Sequence, residues 1–149
     1  MLQARAVVCS AACGADLLAL AAAEALGIRR YVVLPFEATR FRGTSVADCS
    51  GDWLASFDRV VREIDRAGRL ETLETEGPDI DAYGAVNRRI LTLAQALASA
   101  EGMEAGAVVV WDGPISAGDS ITAAFVQEAR TRAMRVVDVP ITVGDTQPR

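Results

Sequence analysis

The chain has 149 residues, 51% of them apolar, which is enough for one domain with a core of its own. Its formal net charge of −5 disfavours binding to nucleic acid, because phosphate backbones require clustered Lys and Arg. It has no histidine, which excludes Ser–His and Cys–His catalysis and histidine metal sites.

The first third of the sequence predicts two buried strands joined by a helix. The strands are Ala6–Ser10 and Tyr31–Phe36, and their continuous apolar character is typical of parallel sheets. The helix is Leu17–Leu26, which ends at Gly27. Glu37–Gly51 is polar and contains two glycines, so it predicts a loop of a length that is uncommon unless functional or disordered.

The rest of the sequence continues this alternation. Periodic apolar positions predict amphipathic helices, and short β-branched runs predict strands. In chain order these are a helix at Asp52–Ala67, a segment at Leu70–Thr75 that fits either a loop or a short edge strand, a helix at Asp81–Ala100, a strand at Ala107–Trp111, a helix ending near Ala133 and a strand at Arg135–Val139.

Alternating strands and helices predict the α/β class. We expect a single three-layer, Rossmann-like domain over residues 1–149, with a mainly parallel sheet of four to five strands flanked by helices. Residues 141–149 are expected to form a frayed tail. In such sheets ligands bind beyond the carboxyl ends of the strands, which directs attention to the strand-to-helix turns.

Two of these turns are candidates for binding an anion. Their small residues allow backbone N–H groups to approach a phosphate, and the following helix N-terminus carries partial positive charge. The carboxylates of Asp16 and Asp119 suit this role less well and fit either N-caps or acceptors for a ribose hydroxyl. The candidate binding residues are Ser10, Gly14, Ala15 and Asp16 in the first turn and Gly113, Ser116, Gly118, Ser120 and Thr122 in the second.

Four further side chains have both a functional and an ordinary interpretation. Glu37 follows the second strand and fits either a catalytic or ribose-binding carboxylate or a solvated loop residue. Arg40 and Arg88 fit either phosphate ligands or surface charges. Trp111 ends a buried strand and fits either a base-stacking residue or a core residue.

The number of cysteines and the hydropathy of the sequence indicate the cellular compartment. An odd count, with Cys9, Cys13 and Cys49, predicts reduced thiols, and Cys9 and Cys13 without histidine do not predict a metal site. No apolar run approaches the roughly 20 residues of a membrane span, and no signal peptide is recognisable. We therefore expect a soluble, cytoplasmic protein.

Several motifs together resemble the SMF/DprA–LOG (SLOG) superfamily. The sequence Ser10-x-x-x-Gly14-Ala15-Asp16-x-Leu18-Ala19, followed by Val33-Leu34-Pro35-Phe36, is similar to the second βα unit of that group. Asn87-Arg88-Arg89-Ile90 resembles its Asn-Arg helix. Ser116-x-Gly118-x-Ser120-x-Thr122-Ala123, followed by Val136-x-x-Val139-Pro140, resembles its last βαβ unit.

The resemblance implies a Rossmann-like fold, nucleotide-like ligands and frequent dimers. Superfamily members include nucleotide-derived ligand sensors, DNA-processing proteins and cytokinin-activating phosphoribohydrolases. The family usually opens with a further strand, phosphate turn and helix, and we expect this chain to lack that unit. The stretch from Gly113 to Thr122 also lacks the Pro-Gly-Gly-x-Gly-Thr-x-x-Glu motif of the phosphoribohydrolases, so that activity is not predicted.

Three functions remain open at this point. The first is a dimeric module that binds or senses a nucleotide-derived ligand and requires no cofactor. The second is a nucleoside or nucleotide N-glycosidase, or a deoxyribosyltransferase-like enzyme, in which Glu37 is the acting carboxylate. The third is a structural, dimerising domain whose ligand site has decayed.

Overall fold

The computed structural model describes residues 3–76, 78–111 and 120–141. Within these residues the chain forms five strands and five helices, and no helix among them is long and apolar enough to cross a membrane. In chain order the elements are β1 (Ala6–Cys9), α1 (Ala15–Ala25), β2 (Arg29–Leu34), α2 (Ala38–Ser45), α3 (Leu54–Arg66), β3 (Leu70–Thr72), α4 (Asp79–Ala100), β4 (Gly106–Trp111), α5 (Ser120–Thr131) and β5 (Arg135–Pro140).

The strands confirm the predicted α/β class, with one difference in how they are joined. All observed pairings are parallel, but they form two sheets, one in the order β1-β2-β3 and the other β4-β5. The short β3 strand shows that the Leu70–Thr75 segment includes an edge strand. The five strands agree with the predicted four to five, but β1 and β4 are not paired, and residues of both line one cleft.

Helices cover both faces of the three-stranded sheet. Side chains of a strand alternate between its faces, so Val7 packs into the core with α1 and α3, whereas Val8 packs against α4. The larger core is built on Phe57 of α3 and Leu20 of α1. Helix α4 contacts β1, β2 and α5, and it therefore connects the two sheets on one face.

Helix α4 runs antiparallel to β1 and β2. Near its start, the ring of Tyr83 makes an edge contact with Phe36, which follows the carboxyl end of β2, with 6.2 Å between centroids. At its end, Glu101 pairs with Arg5, just before β1, and with Arg29, the first residue of β2. The start of α4 therefore marks the carboxyl edge of the first sheet.

Helices α4 and α5 run in the same direction, which fixes the orientation of the second sheet. Asn87 Nδ2 donates to the carbonyl of Ile121 at 3.3 Å, and further along Arg132 Nη1 donates to Thr92 Oγ1 at 2.8 Å. Because α5 is the crossover between two parallel strands, it is antiparallel to β4 and β5. It follows that β4 runs parallel to β1 across the cleft.

Two expectations from the sequence are wrong. The region predicted as a loop contains α2, because Phe41 is buried against Phe57 with 6.0 Å between ring centroids, and this tertiary contact outweighs the polar composition. Two of the cysteines expected to be reduced, Cys13 and Cys49, form a disulfide, and Cys9 is the free thiol. The two cysteines are 36 residues apart in the sequence, so no local pattern predicts their pairing, but the fold places their Cα atoms 6.5 Å apart.

Candidate functional site

A cleft of about 1020 Å³ lies between β1 and β4. Helix α1 forms one wall, α4 forms the other, and the start of α5 contributes further lining residues. The middle of the cleft is apolar, with Val8, Ile90 and Val108 among its lining residues. Since the strands run in one direction, the two ends of the cleft correspond to the amino and carboxyl edges of the sheets.

Polar side chains from four segments line the carboxyl end of the cleft. Ser10 directly follows β1, Asp16 and Asn87 lie in the N-terminal halves of α1 and α4, and Thr122 lies in the first turn of α5. The Oγ of Ser10 is buried without a hydrogen-bond partner in the described part of the chain. A buried hydroxyl without a partner costs free energy, and no group among the described residues satisfies the Ser10 hydroxyl.

The first predicted anion turn is held firmly by its own chain. The backbone N–H of Ala12 donates to Asp16 Oδ2 at 3.2 Å, and the N–H of Cys13 donates to the carbonyl of Ser45 at 3.2 Å. The disulfide to Cys49 fixes the same turn to the segment after α2. Two backbone donors expected to face a phosphate are therefore engaged within the protein.

Gly14 keeps the approach to helix α1 open. It is the N-cap residue, has a φ of +88°, and makes no side-chain cap for the helix. A Cβ at this position would meet nothing within 4 Å, so the space above it is unobstructed. The φ value requires glycine for conformational reasons, since residues with a Cβ rarely adopt it.

Asp16 has an unusual carboxyl group. Burial raises its pKa from 3.8 to about 6, and the hydrogen bond from the Ala12 N–H offsets only part of that effect. Burial and the nearby Asp16 carboxylate likewise raise the pKa of the Cys9 thiol, so Cys9 is protonated at neutral pH. The negative charge at this helix start is therefore removed in mildly acidic solution.

The predicted catalytic carboxylate lies apart from the cleft. Glu37 is the exposed N-cap residue of α2 and does not line the cleft. Arg40, three residues on, pairs with Asp79 at 2.5 Å, and its guanidinium lies over the Phe36 ring at 4.0 Å. Both residues belong to the junction between α2 and α4, and the structure does not bring them together with Ser10.

Two further predicted residues also lie outside the cleft lining. Arg88 is exposed on α4, whereas its neighbour Asn87 lines the cleft. Trp111 donates from Nε1 to Asp138 Oδ1 at 3.1 Å, so its indole is tied to β5.

The second predicted turn falls mainly outside the described residues. Gly113, Ser116 and Gly118 lie in the stretch 112–119, outside the described residues. Of the tail predicted at residues 141–149, all but Ile141 also lies outside them. Ser120 begins α5, and Thr122 lines the cleft. Ala15 begins α1 and lines the cleft as well.

Two residues that line the cleft, Asn87 and Tyr83, were not among the predicted binding residues. The two residues are four apart and therefore share a face of α4, where Tyr83 also hydrogen-bonds Ser45 Oγ at 2.9 Å. The sequence signal that could have identified Asn87 is its polar amide on a face of α4 that is otherwise apolar.

Comparison with models of protein families, with curated proteins and with solved structures finds no match to this chain.

Proposed function

We propose that this chain is a SLOG-type domain that binds a nucleotide-derived ligand at the carboxyl end of the cleft. The observation that carries the proposal is the convergence of Ser10, Asp16, Asn87 and Thr122, from four separate segments, at one end of two parallel strands. Parallel α/β sheets bind ligands at this edge, where the strand order changes direction. Here that change falls between β1 and β4.

Each group has a distinct role in this proposal. A phosphate lies over Gly14 and the N-terminus of α1, where the helix end favours negative charge. The Ser10 hydroxyl donates to it, which satisfies the buried Oγ. Asp16 accepts from a ribose hydroxyl when ionised, and Asn87 contacts the base or sugar from the opposite wall.

Calorimetry tests this binding. The intact chain is titrated with AMP, ADP-ribose, NAD, a cyclic dinucleotide and a short oligonucleotide. The proposal predicts binding of at least one, weakened about tenfold or more in Ser10→Ala and in Asn87→Ala, because hydrogen bonds to charged groups contribute about 1.5–3 kcal/mol. Ser99→Ala, an exposed hydroxyl on α4 outside the cleft, is the control. No binding of any ligand at millimolar concentration would refute the proposal.

A homodimer remains part of the proposal. The face of β4 and β5 opposite α5 exposes valines, with Val108 at 58% and both Val110 and Val139 at 41%. Apolar side chains grouped on a sheet face favour association. Sedimentation of the wild type and of Val139→Lys, a change on this face outside the cleft lining, tests the dimer. A wild type that stays monomeric would contradict it.

Two further predictions, the glycosidase alternative and the cytoplasmic location, have their own tests. In the described part of the chain Glu37 does not line the cleft, so no contact there favours the glycosidase alternative. Release of free base from a nucleotide that is lost in Glu37→Gln would support that alternative. A cytoplasmic location stays a prediction. Thiol labelling of Cys13 and Cys49 in intact cells tests it, because disulfides are rare in reducing compartments.

A further inference from the structure

Two unpaired strand edges border the cleft. In the described part of the chain, β1 pairs only with β2, and β4 pairs only with β5. Both strands line the cleft along their length and run in the same direction. A strand carries N–H and C=O groups on both of its edges, so each of these strands presents unsatisfied backbone groups to the gap.

The two unpaired edges distinguish between possible occupants. An extended segment carries N–H and C=O groups on both of its edges and can pair with β1 and with β4 at the same time. A helix satisfies its own backbone groups internally and would leave both strand edges unpaired. The occupant that fits the gap is therefore an extended strand.

The walls of the cleft determine the chemistry of that strand. Helix α1 presents Ala15, Ala19, Ala22 and Leu26 to the cleft, at the four- and three-residue spacing of a single helical face. Leu26 is 73% exposed there. The opposite wall presents apolar residues of α4, including Ala94. An occupant is thus in contact with apolar surface on both of its faces, as an internal strand of a parallel sheet is.

We propose that an extended segment of another polypeptide, apolar on both faces, inserts between β1 and β4 and runs parallel to them. It satisfies both rows of backbone groups and joins the two sheets into one of six strands, in the order β3-β2-β1-segment-β4-β5. Its carboxyl end then lies beside Ser10 and Asn87, at the polar end of the cleft. Backbone hydrogen bonds provide affinity, and the walls select small or β-branched side chains.

A second copy of this chain fits the gap less well. The apolar strand-forming runs of the described residues already lie within β1 to β5. A two-fold dimer joined at a sheet edge pairs a strand with its own copy in antiparallel orientation. That arrangement leaves no parallel strand to bridge β1 and β4.

The test uses the full chain with its disulfide intact. Four eight-residue peptides, with lysine ends and cores of alanine, valine, isoleucine or threonine, are titrated while amide hydrogen exchange is followed. We expect at least one peptide to bind in a 1:1 ratio and to slow exchange in β1 and β4, but not in β3. The same peptide N-methylated at alternate residues keeps its side chains, loses backbone donors, and is expected to bind about tenfold more weakly or worse.

Two neighbouring alanines on α1 provide matched variants. Ala22 and Ala21 are both exposed, but only Ala22 lines the cleft. Ala22→Glu is expected to weaken peptide binding about tenfold or more, because insertion buries its carboxylate, whereas Ala21→Glu leaves binding unchanged.

Three results would overturn the proposal. The first is that no peptide binds at millimolar concentration. The second is exchange in β1 and β4 that is already as slow as in β2 in the isolated monomer. The third is amide exchange in β1 and β4 that becomes slower as the protein concentration is raised, which would assign the cleft to a second copy. Peptide binding does not require Ser10 or Asn87, so its outcome is independent of the nucleotide titrations.

Discussion

Replacing Asp16 with asparagine is expected to stabilise the folded chain above about pH 6. The folded protein holds the pKa of this carboxyl at about 6, against 3.8 when it is solvated. A raised carboxyl pKa means that the folded state binds the proton more tightly, so the contribution of Asp16 to stability is greatest below pH 3.8 and is lost as the pH rises through 6. The full difference corresponds to about 3 kcal/mol.

Asparagine removes this penalty and keeps an oxygen that accepts from the Ala12 N–H. Urea unfolding monitored by tryptophan fluorescence measures the free energy of unfolding of both proteins from about pH 4 to about pH 8. The advantage of Asp16→Asn is expected to be about 2.5 kcal/mol larger at pH 8 than at pH 4, because part of the full difference is already present at pH 4.

Asp58→Asn is the control with the opposite sign. Its hydrogen bonds from Arg42, at 2.7 and 3.0 Å, lower the pKa of Asp58, so this variant loses stability at neutral pH and approaches the wild type in acid. An Asp16→Asn advantage that does not change with pH would refute the burial of the Asp16 charge.

Three further predictions concern contacts that hold the fold. Reduction of the Cys13–Cys49 disulfide should lower the free energy of unfolding by about 4 kcal/mol, the entropy of closing a 36-residue loop, as measured by urea unfolding with and without reductant. Tyr83→Phe removes the hydrogen bond to Ser45 and should cost about 1 kcal/mol in the same assay, and an unchanged midpoint would contradict that contact. Phe57→Ala should cost about 3–5 kcal/mol because the ring is buried, and a loss below 1 kcal/mol would show that the site is not packed.

Much of the fold follows from local patterns in the sequence. The buried faces of α3 and the continuous apolar run of β2 were predictable, because burial imposes a period of 3.6 on helices and excludes polar residues from internal strands. Helix α2 was not predictable, since its own composition is polar and the buried Phe41 ring holds it in place.

The candidate site shows the same division. The turn from Ser10 to Asp16 was visible in the sequence, because small residues between a strand and a helix are a local signal. The partners of its backbone N–H groups were not visible in the sequence. The bond to the Asp16 carboxylate depends on the geometry of the turn, and the bond to the Ser45 carbonyl depends on a contact more than thirty residues away. Glu37 and Arg88 were predicted from their positions along the chain. In the structure both side chains are exposed, and neither lines the cleft.

By itself the sequence determined the order of strands and helices, the parallel α/β class and the chemistry available without histidine. These properties depend on residue type and short-range spacing. Only the tertiary structure decided that Cys13 meets Cys49, that Asn87 and Ser10 line the same cleft, and that the strands divide into two sheets. The physical reason is that each depends on the relative placement of whole elements, which long-range packing sets and no local pattern encodes.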